Sequence, residues 1–505
     1  MQNNEFAQNA LLLIIAYACL ILFFVIRGAI KTKSIQEYAI GTKGFSPVIL
    51  ALSLAAGITS AATFIINPGF VAYFGWSAFL GMSMVLSVGL YASLIILSKN
   101  FRTYGHSVKA ATLSQWIGSR FDSKAFGILM AVFSLLLITF IILICVGMTK
   151  VLSNALAIGE FPSLVVMVVF VFGYMMFGGA NSMIYTNAIQ ACIMLLVAGI
   201  LLYSGVQNFS GGISGFWEKI SSIDLNLTRN FNQTSPLFRD WFEVLFCNLI
   251  IGIAIVCQPH IITRSLMLEK GASLNKFLFY TILFESVFFC VLFVGFYARI
   301  DFPDLTYNGQ PIKMDSIMSV YVVKNFSNFT GLIIIVGLLS AGLSTLEGLI
   351  QSVSTTITSD LIRPVFYNKL LDDTILQSRL KWVNKFVIIC LAVITIFWSR
   401  QQLMNPKLSV GILAQNGVYA YFSAAFVPVL QGIFLKNVPK IAPISAAITA
   451  ILVHFSVYYG ELTPYTSGVV KNPAVAATFA IISATVVGFG LYLFLGNSLP
   501  KNVEK

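Results

Sequence analysis

Charge is what this chain has least of: lysine, arginine, aspartate and glutamate together make up 10% of 505 residues. Soluble domains carry about 25%, so water is not the solvent for most of this sequence. Histidine is nearly absent, with three residues, and no C-x-x-C pair or Cys/His cluster exists to hold a metal. The seven cysteines (Cys19, Cys145, Cys192, Cys247, Cys257, Cys290 and Cys390) all fall in apolar runs and read as small buried hydrophobes. No GxxxxGKS or GxxxxGKT loop is there to cradle a nucleotide phosphate, and no paired nucleophile and base, which argues against a pump and against an enzyme. The first apolar run lacks a basic flank before it and a small-residue cleavage site after it, so a retained helix is expected and not a signal peptide. The net charge of +12 is scattered over short loops without interleaved aromatics, which speaks against nucleic acid as a partner.

What is present is apolar length. Hydrophobic residues make up 58% of the chain, and the runs Leu11 to Ile26, Ala125 to Met148, Leu164 to Phe177 and Phe386 to Trp398 are nearly free of charge. A helix needs about 20 residues to cross a bilayer core. Lipid offers no hydrogen-bond partners, so each run must be a helix or a strand of a closed barrel, and runs this long without two-residue alternation exclude the barrel. The expected fold is therefore an all-α polytopic membrane protein. Thirteen helices are predicted, at 9–27, 47–73, 76–98, 125–149, 162–180, 182–206, 241–262, 276–299, 327–358, 382–399, 409–435, 441–459 and 473–496; they are numbered one to thirteen below.

Lysine and arginine accumulate on the cytoplasmic side of inserted proteins. With the N-terminus outside, the loops on the inner side hold 21 of the 31 basic residues and the outer side 10. This predicts an outer N-terminus and a cytoplasmic C-terminus in a bacterial inner (cell) membrane. The segments 207–240 and 300–325 then lie outside, with the amphipathic stretch Asp315 to Phe326 resting on the outer face of the bundle.

Two helices carry breaks. Helix two has Gly57 and then Asn67-Pro68-Gly69; helix seven has Gly252 and then Gln258-Pro259-His260. Proline removes a backbone donor, and in a membrane the freed groups must be met by protein or by a cavity. Helices two and seven also open two five-helix blocks that begin on opposite sides of the membrane. That is the pattern of a 5+5 inverted repeat with a binding site where the broken helices face each other. The expected organisation is a first peripheral helix and inner loop at 1–46, a first repeat at 47–206, an outer loop at 207–240, a second repeat at 241–435, and two peripheral helices with a tail at 436–505.

Helix nine reads Ser340-Ala341-Gly342-Leu343-Ser344-Thr345-Leu346-Glu347-Gly348 and continues through Gln351, Ser352, Ser354, Thr355, Thr356 and Thr358 to Asp360-Leu361-Ile362-Arg363-Pro364. So many hydroxyls do not suit a lipid-facing helix. Sodium is a hard cation that prefers oxygen, and one carbonyl with two adjacent hydroxyls can supply three ligands; the same small residues also suit close helix packing. With helix two, and with Glu37-Tyr38, Ala111-Thr112-Leu113 before Trp116 and Arg120, Gly178-Gly179 before Tyr185-Thr186, and Gln258-Pro259-His260-Ile261 with Arg264, the chain resembles the sodium/solute symporter family of the leucine-transporter-like fold. It is most similar in look to the proline/pantothenate and monocarboxylate branches.

The resemblance implies sodium-coupled symport of a small organic solute by alternating access, with sodium as coupling ion and no obligate protein partner. It implies sodium ligands in the carbonyls of Ala55, Ile58 and Ala341 and the hydroxyls of Ser344 and Thr345. A solute between helices two, seven and eleven would meet Gly57, Ser60, Gln258 and Gln415 or Asn416, and a carboxylate-bearing compound such as an amino acid or monocarboxylate is expected. Some family members have an acidic residue where this chain has Asn187; here the carboxylate stands on helix nine instead, as Glu347. Glu347 is expected to face Asn187 and to offer a second cation or proton position. Glu285 in helix eight is a second intramembrane acid, lining the solute path or an interface. A transporter-like membrane sensor, a proton-coupled carrier using His260, and a sugar or sialic acid as solute are the alternatives.

Overall fold

Deprived of water, the backbone groups of an apolar run close on one another, and the computed structural model, which describes residues 2–42, 44–269, 271–366, 373–404 and 410–496, is helical throughout its length. The one sheet among the described residues is the antiparallel pair Thr306–Tyr307 with Gln310–Pro311. Eleven continuous helices are long and apolar enough to cross a membrane: Phe6–Ala29, Trp76–Ser107, Lys124–Leu156, Glu160–Gly178, Ala180–Tyr203, Leu274–Asp301, Asn328–Phe366, Leu376–Met404, Gly411–Phe434, Ile441–Tyr459 and Pro473–Leu495. Two bent pairs complete thirteen spans: helix two is Pro47–Ile58 with Ala62–Phe74, turned by 57°, and helix seven is Phe242–Ile255 with Pro259–Met267, turned by 58°. The breaks fall where Gly57 and Gln258-Pro259 stand in the sequence. Several helices outrun their apolar cores, helix three reaching Ser107 and helix nine Phe366, because backbone hydrogen bonding continues through the polar headgroup zone after hydropathy has ended.

The packing repeats itself across the two blocks. Helix two packs on helix eight and helix seven on helix three; helix four meets helix nine; helices six and eleven lie against helices two and seven. Each first helix thus pairs with the second helix of the other block, as an inverted repeat requires. Glycine sets the closeness of both crossings. A Cβ on Gly252 would fall on the Leu86 carbonyl, and one on Gly295 on the Pro68 carbonyl. Helices twelve and thirteen pair with each other and with helix eleven, outside the ten-helix core.

The connections 207–240 and 300–325 are more ordered than loops. Segment 207–240 contains the helix Gly212–Ile223, which buries Phe216 and Ile220. The amphipathic stretch forms the helix Ile317–Asn325, burying Ile317, Met318, Tyr321 and Val322, and lies against the second half of helix two, Ala62–Phe74. Between helices one and two, the short helix Ile35–Ile40 is closed by a Ser34/Glu37 capping box. One basic residue counted with the inner loops is not in a loop: Arg264 is 1% exposed, within the bundle. Lys43, Lys270, Lys369, Lys501 and Lys505, counted on the same side, lie outside the described residues.

Candidate ion and solute site

Helix two begins at Ser46, whose side chain accepts from the Ile49 amide, with Pro47 in the first turn. It stops at Ile58 because Thr59 turns to an extended backbone (ψ 94°) while its amide still closes on the Ala55 carbonyl at 2.9 Å. The carbonyls of Ala56 and Gly57 are left at a helix end, and groups there need other partners. Helix nine supplies them. Ser344 Oγ donates to the Ala56 carbonyl at 2.8 Å, and Thr345 Oγ1 to the Gly57 carbonyl at 3.1 Å, with the Ala56 and Thr59 carbonyls at 3.4 and 3.5 Å. Both hydroxyls also reach the Ala341 carbonyl, at 3.1 and 3.5 Å. The structure therefore brings Ala341, Ser344 and Thr345 together with the helix-two break, where the two hydroxyls bond the Ala56 and Gly57 carbonyls. Of the other expected ligands, the Ala55 carbonyl accepts from the Thr59 amide and keeps a second lone pair, and Ile58 lines a neighbouring cavity.

That cavity, of about 110 Å³, lies between helices two, three, four, seven, eight and eleven. Ser60, Gln258 and Gln415 line it, as expected; Gly57 does not. Gly57 instead faces the Arg264 guanidinium, 3.5 Å from where a Cβ would stand. Asn416 also turns away, its amide oxygen 2.8 Å from His454 Nε2 and its nitrogen 3.1 Å from the Tyr459 hydroxyl. Thr63, Asn67, His260 and Tyr419 complete the polar lining, and Met82, Leu86, Phe140, Leu143 and Phe289 belong to the apolar part. Gln258 Oε1 and His260 Nδ1 are buried without a hydrogen-bond partner. A buried, unmet polar atom at a cavity wall is a ready contact for a polar ligand. Thr63 and Asn67 were legible: they stand four residues apart, on one face of the helix that follows the break.

Arg264 is the residue that sequence reasoning misplaced. Its Nη1 donates to Ser53 Oγ at 2.8 Å and its Nε to the His260 carbonyl at 3.3 Å, and its Nη2 lies 3.6 Å from Met183 Sδ. It fits because Gly57 and Gly348 leave room for the guanidinium. The small residues Ser53, Gly57 and Gly348 were the available signal.

Residues 38–449 match the sequence profile of the Sodium:solute symporter family. The chain belongs to that family. The sodium/pantothenate symporter of Escherichia coli K12 is 25% identical over 442 residues, covering 84% of this chain and 86% of that protein. The sodium/proline symporter of Staphylococcus aureus strain Newman is 23% identical over 438 residues, covering 84% and 80%. Among solved structures, the substrate-bound outward-open state of a Na+-coupled sialic acid symporter superposes with a TM-score of 0.74 at 17% identity, over 96% of this chain and 98% of that one. At that identity the likeness is one of fold. Membership makes the chain an integral membrane transporter of the sodium-coupled symport class.

In this symporter Glu347 does not bond to Asn187. Its carboxylate accepts from the Tyr174 hydroxyl (2.6 Å), Thr186 Oγ1 (2.6 Å) and Gln190 Nε2 (3.2 Å), while Asn187 Nδ2 donates to the Ser344 carbonyl at 3.2 Å. Asn187 follows Thr186 by about 100° around helix six, and its amide meets the helix-nine backbone in place of the Glu347 carboxylate. Arg264 lies within electrostatic reach of Glu347. Further along helix nine, Gln351 Nε2 donates to the Tyr38 and Ala39 carbonyls. Asp360 accepts from Thr112 Oγ1 (2.6 Å) and Gln115 Nε2 (2.7 Å). Both contacts lie where the sequence carried family-like motifs, and both tie the C-terminal half of helix nine to the segments before helices two and four.

Proposed function

We propose that the chain couples inward movement of a small carboxylate-bearing solute to sodium, with the ion held between the helix-two break and helix nine. The observation that carries this reading is the pair Ser344 and Thr345 lying on the Ala56 and Gly57 carbonyls. Every polar atom converging there is oxygen, the donor set a hard monovalent cation takes. Sodium, as co-substrate, would replace the hydrogen bonds between hydroxyls and carbonyls with ligation by both, joining helix two to helix nine when present and freeing them when absent. Pantothenate, proline and sialic acid, named for the relatives and the structural neighbour, all carry a carboxylate. The cavity at Ser60, Thr63, Asn67, Gln258 and Gln415 offers hydroxyls and amides at one part and an apolar wall elsewhere, which suits a small solute with a polar end. Alternating access then follows from the bundle of helices two, three, seven and eight rocking against the remainder of units 47–206 and 241–435.

Uptake into proteoliposomes of a panel of labelled amino acids and monocarboxylates, with and without sodium, tests the reading. We expect sodium-dependent uptake of at least one carboxylate, abolished or reduced more than about tenfold by S344A/T345A, since each lost ligand interaction of a buried cation weakens binding by about 1.5–3 kcal/mol. Sodium stimulation unchanged in the double variant overturns it. A proton-coupled carrier is the second reading, favoured by the unpartnered His260 Nδ1 in the cavity wall; acid-driven uptake without sodium, lost in H260Q, would support it. Glu347, saturated by three donors and set against Arg264, we assign the role of buried counter-charge in place of a second cation or proton position with Asn187.

A further inference from the structure

Glu285 of helix eight is fully buried, yet one of its oxygens has no partner. Oε2 accepts from Thr59 Oγ1 at 2.9 Å; Oε1 meets no donor. Neither the solute cavity nor the lipid surface is where it lies. No ion pair reaches it among the described residues, and the ionisable side chain in its electrostatic reach, Tyr91 of helix three, is a phenol that brings no positive charge. The contrast with Glu347 is chemical: three donors and Arg264 balance that carboxylate inside the protein, whereas Glu285 has one neutral donor. A buried carboxylate is too costly to stand alone as an anion: without a cation it takes up a proton, and a cation that comes and goes is its other complement.

Thr59 places Glu285 beside such a cation. Its hydroxyl holds the carboxylate, and its carbonyl lies 3.5 Å from Thr345 Oγ1, at the edge of the ion position. That position is built from carbonyls and hydroxyls and has no formal negative charge of its own. We propose that Glu285 is the buried counter-charge of the coupling sodium, setting through Thr59 the affinity with which the helix-two break holds the ion. This rests on the sodium reading given above. Glu285 is a positioning residue and not a ligand: one sodium at the neighbouring ion position balances its charge.

The test uses purified full-length protein and sodium alone as probe, titrated against choline at constant ionic strength and read as sodium-dependent thermal stabilisation. Glu285→Gln keeps the side chain's shape and can still accept from Thr59, so it removes charge only. The half-saturating sodium concentration should rise at least about tenfold, as expected for a charge a few residues' width away in a partly shielded interior, with the Hill coefficient unchanged and part of the affinity restored in Glu285→Asp. A shift of less than about twofold overturns the proposal, as does a Hill coefficient that falls by one, which would make Glu285 a ligand of a second cation. Should Glu285→Gln fail to insert, Thr59→Val severs the link with the charge intact and should raise the half-saturating concentration several-fold; no shift there also overturns it. S344A/T345A, titrated in parallel, separates the two failures: an intact sodium response in that variant removes the ion position itself, whatever Glu285 does.

Discussion

At the scale of single residues, the core of this symporter is organised around groups that lipid would not tolerate. Ser344, Thr345, Glu347, Arg264 and Glu285 are all buried, and each is placed by a small residue or a helix break near it. The assignment of Glu347 as counter-charge has a direct consequence. In Glu347→Gln only one of the Tyr174 and Thr186 hydroxyls, which bond different carboxylate oxygens, still meets an oxygen, and the other loses a buried hydrogen bond to a charged group, worth about 1.5–3 kcal/mol. We expect a lower melting temperature and a reduced number of active carriers, with the ratio of sodium to solute moved per cycle unchanged. A changed flux ratio would restore the second-cation role for Glu347. The candidate ligands were legible as residues because hydroxyls are conspicuous in an apolar helix. Their carbonyl partners were not, since which carbonyl a broken helix releases depends on the backbone angles at Thr59, which the sequence does not state.

At the scale of elements, the crossing of helices three and seven is fixed by Gly252 and Gly89, whose Cβ positions would overlap the Leu86 and Leu249 carbonyls. Gly252→Val should push the helices apart, at a cost of about 1–3 kcal/mol or more, and lower both the yield and the melting temperature. Gly173→Ala, where a Cβ meets nothing within 4 Å, should leave both unchanged. Helix seven is also fastened from outside the repeat. Arg239 and Asn472 donate to the buried Glu243 carboxylate, and Tyr465, from the connection between helices twelve and thirteen, donates to Asp240 Oδ2 at 2.6 Å. That hydrogen bond to Asp240, with burial, pushes the Tyr465 phenol from 10.0 up to about 12. A folded-state pKa raised above the unfolded value favours the protonated form, so the contribution is fully present below pH 10 and is lost as pH rises toward 12. Melting temperature should therefore be insensitive to this contact up to about pH 9 and fall above pH 10, more steeply than in Tyr465→Phe. Equal slopes for the two proteins would remove the contact from the account.

At the scale of the whole molecule, moving one sodium inward across 100 mV supplies about 2.3 kcal/mol, enough to concentrate a neutral or zwitterionic solute roughly fiftyfold. That use of the potential needs the orientation read from the basic residues. Arg264 no longer counts toward it, but the loops that remain still favour a cytoplasmic C-terminus. A single cysteine placed at Ser222, on the segment 207–240, should react with a membrane-impermeant maleimide in intact cells. Reaction only after the membrane is opened would invert the topology.

The sequence alone determined the solvent, the helix class, the number of spans and the two places where helices break. Those follow from local quantities: run length, hydropathy, and the positions of glycine and proline. It also pointed to the family, through motifs whose order survives at low identity. The tertiary structure decided which polar groups meet. Arg264 entered the bundle because three small residues on other helices left room for it; Glu347 met Thr186 and Gln190 while Asn187 met the helix-nine backbone; Glu285 found Thr59. Each is a contact between residues far apart in the chain, set by how helices rotate and cross, and no periodicity along one helix carries that information.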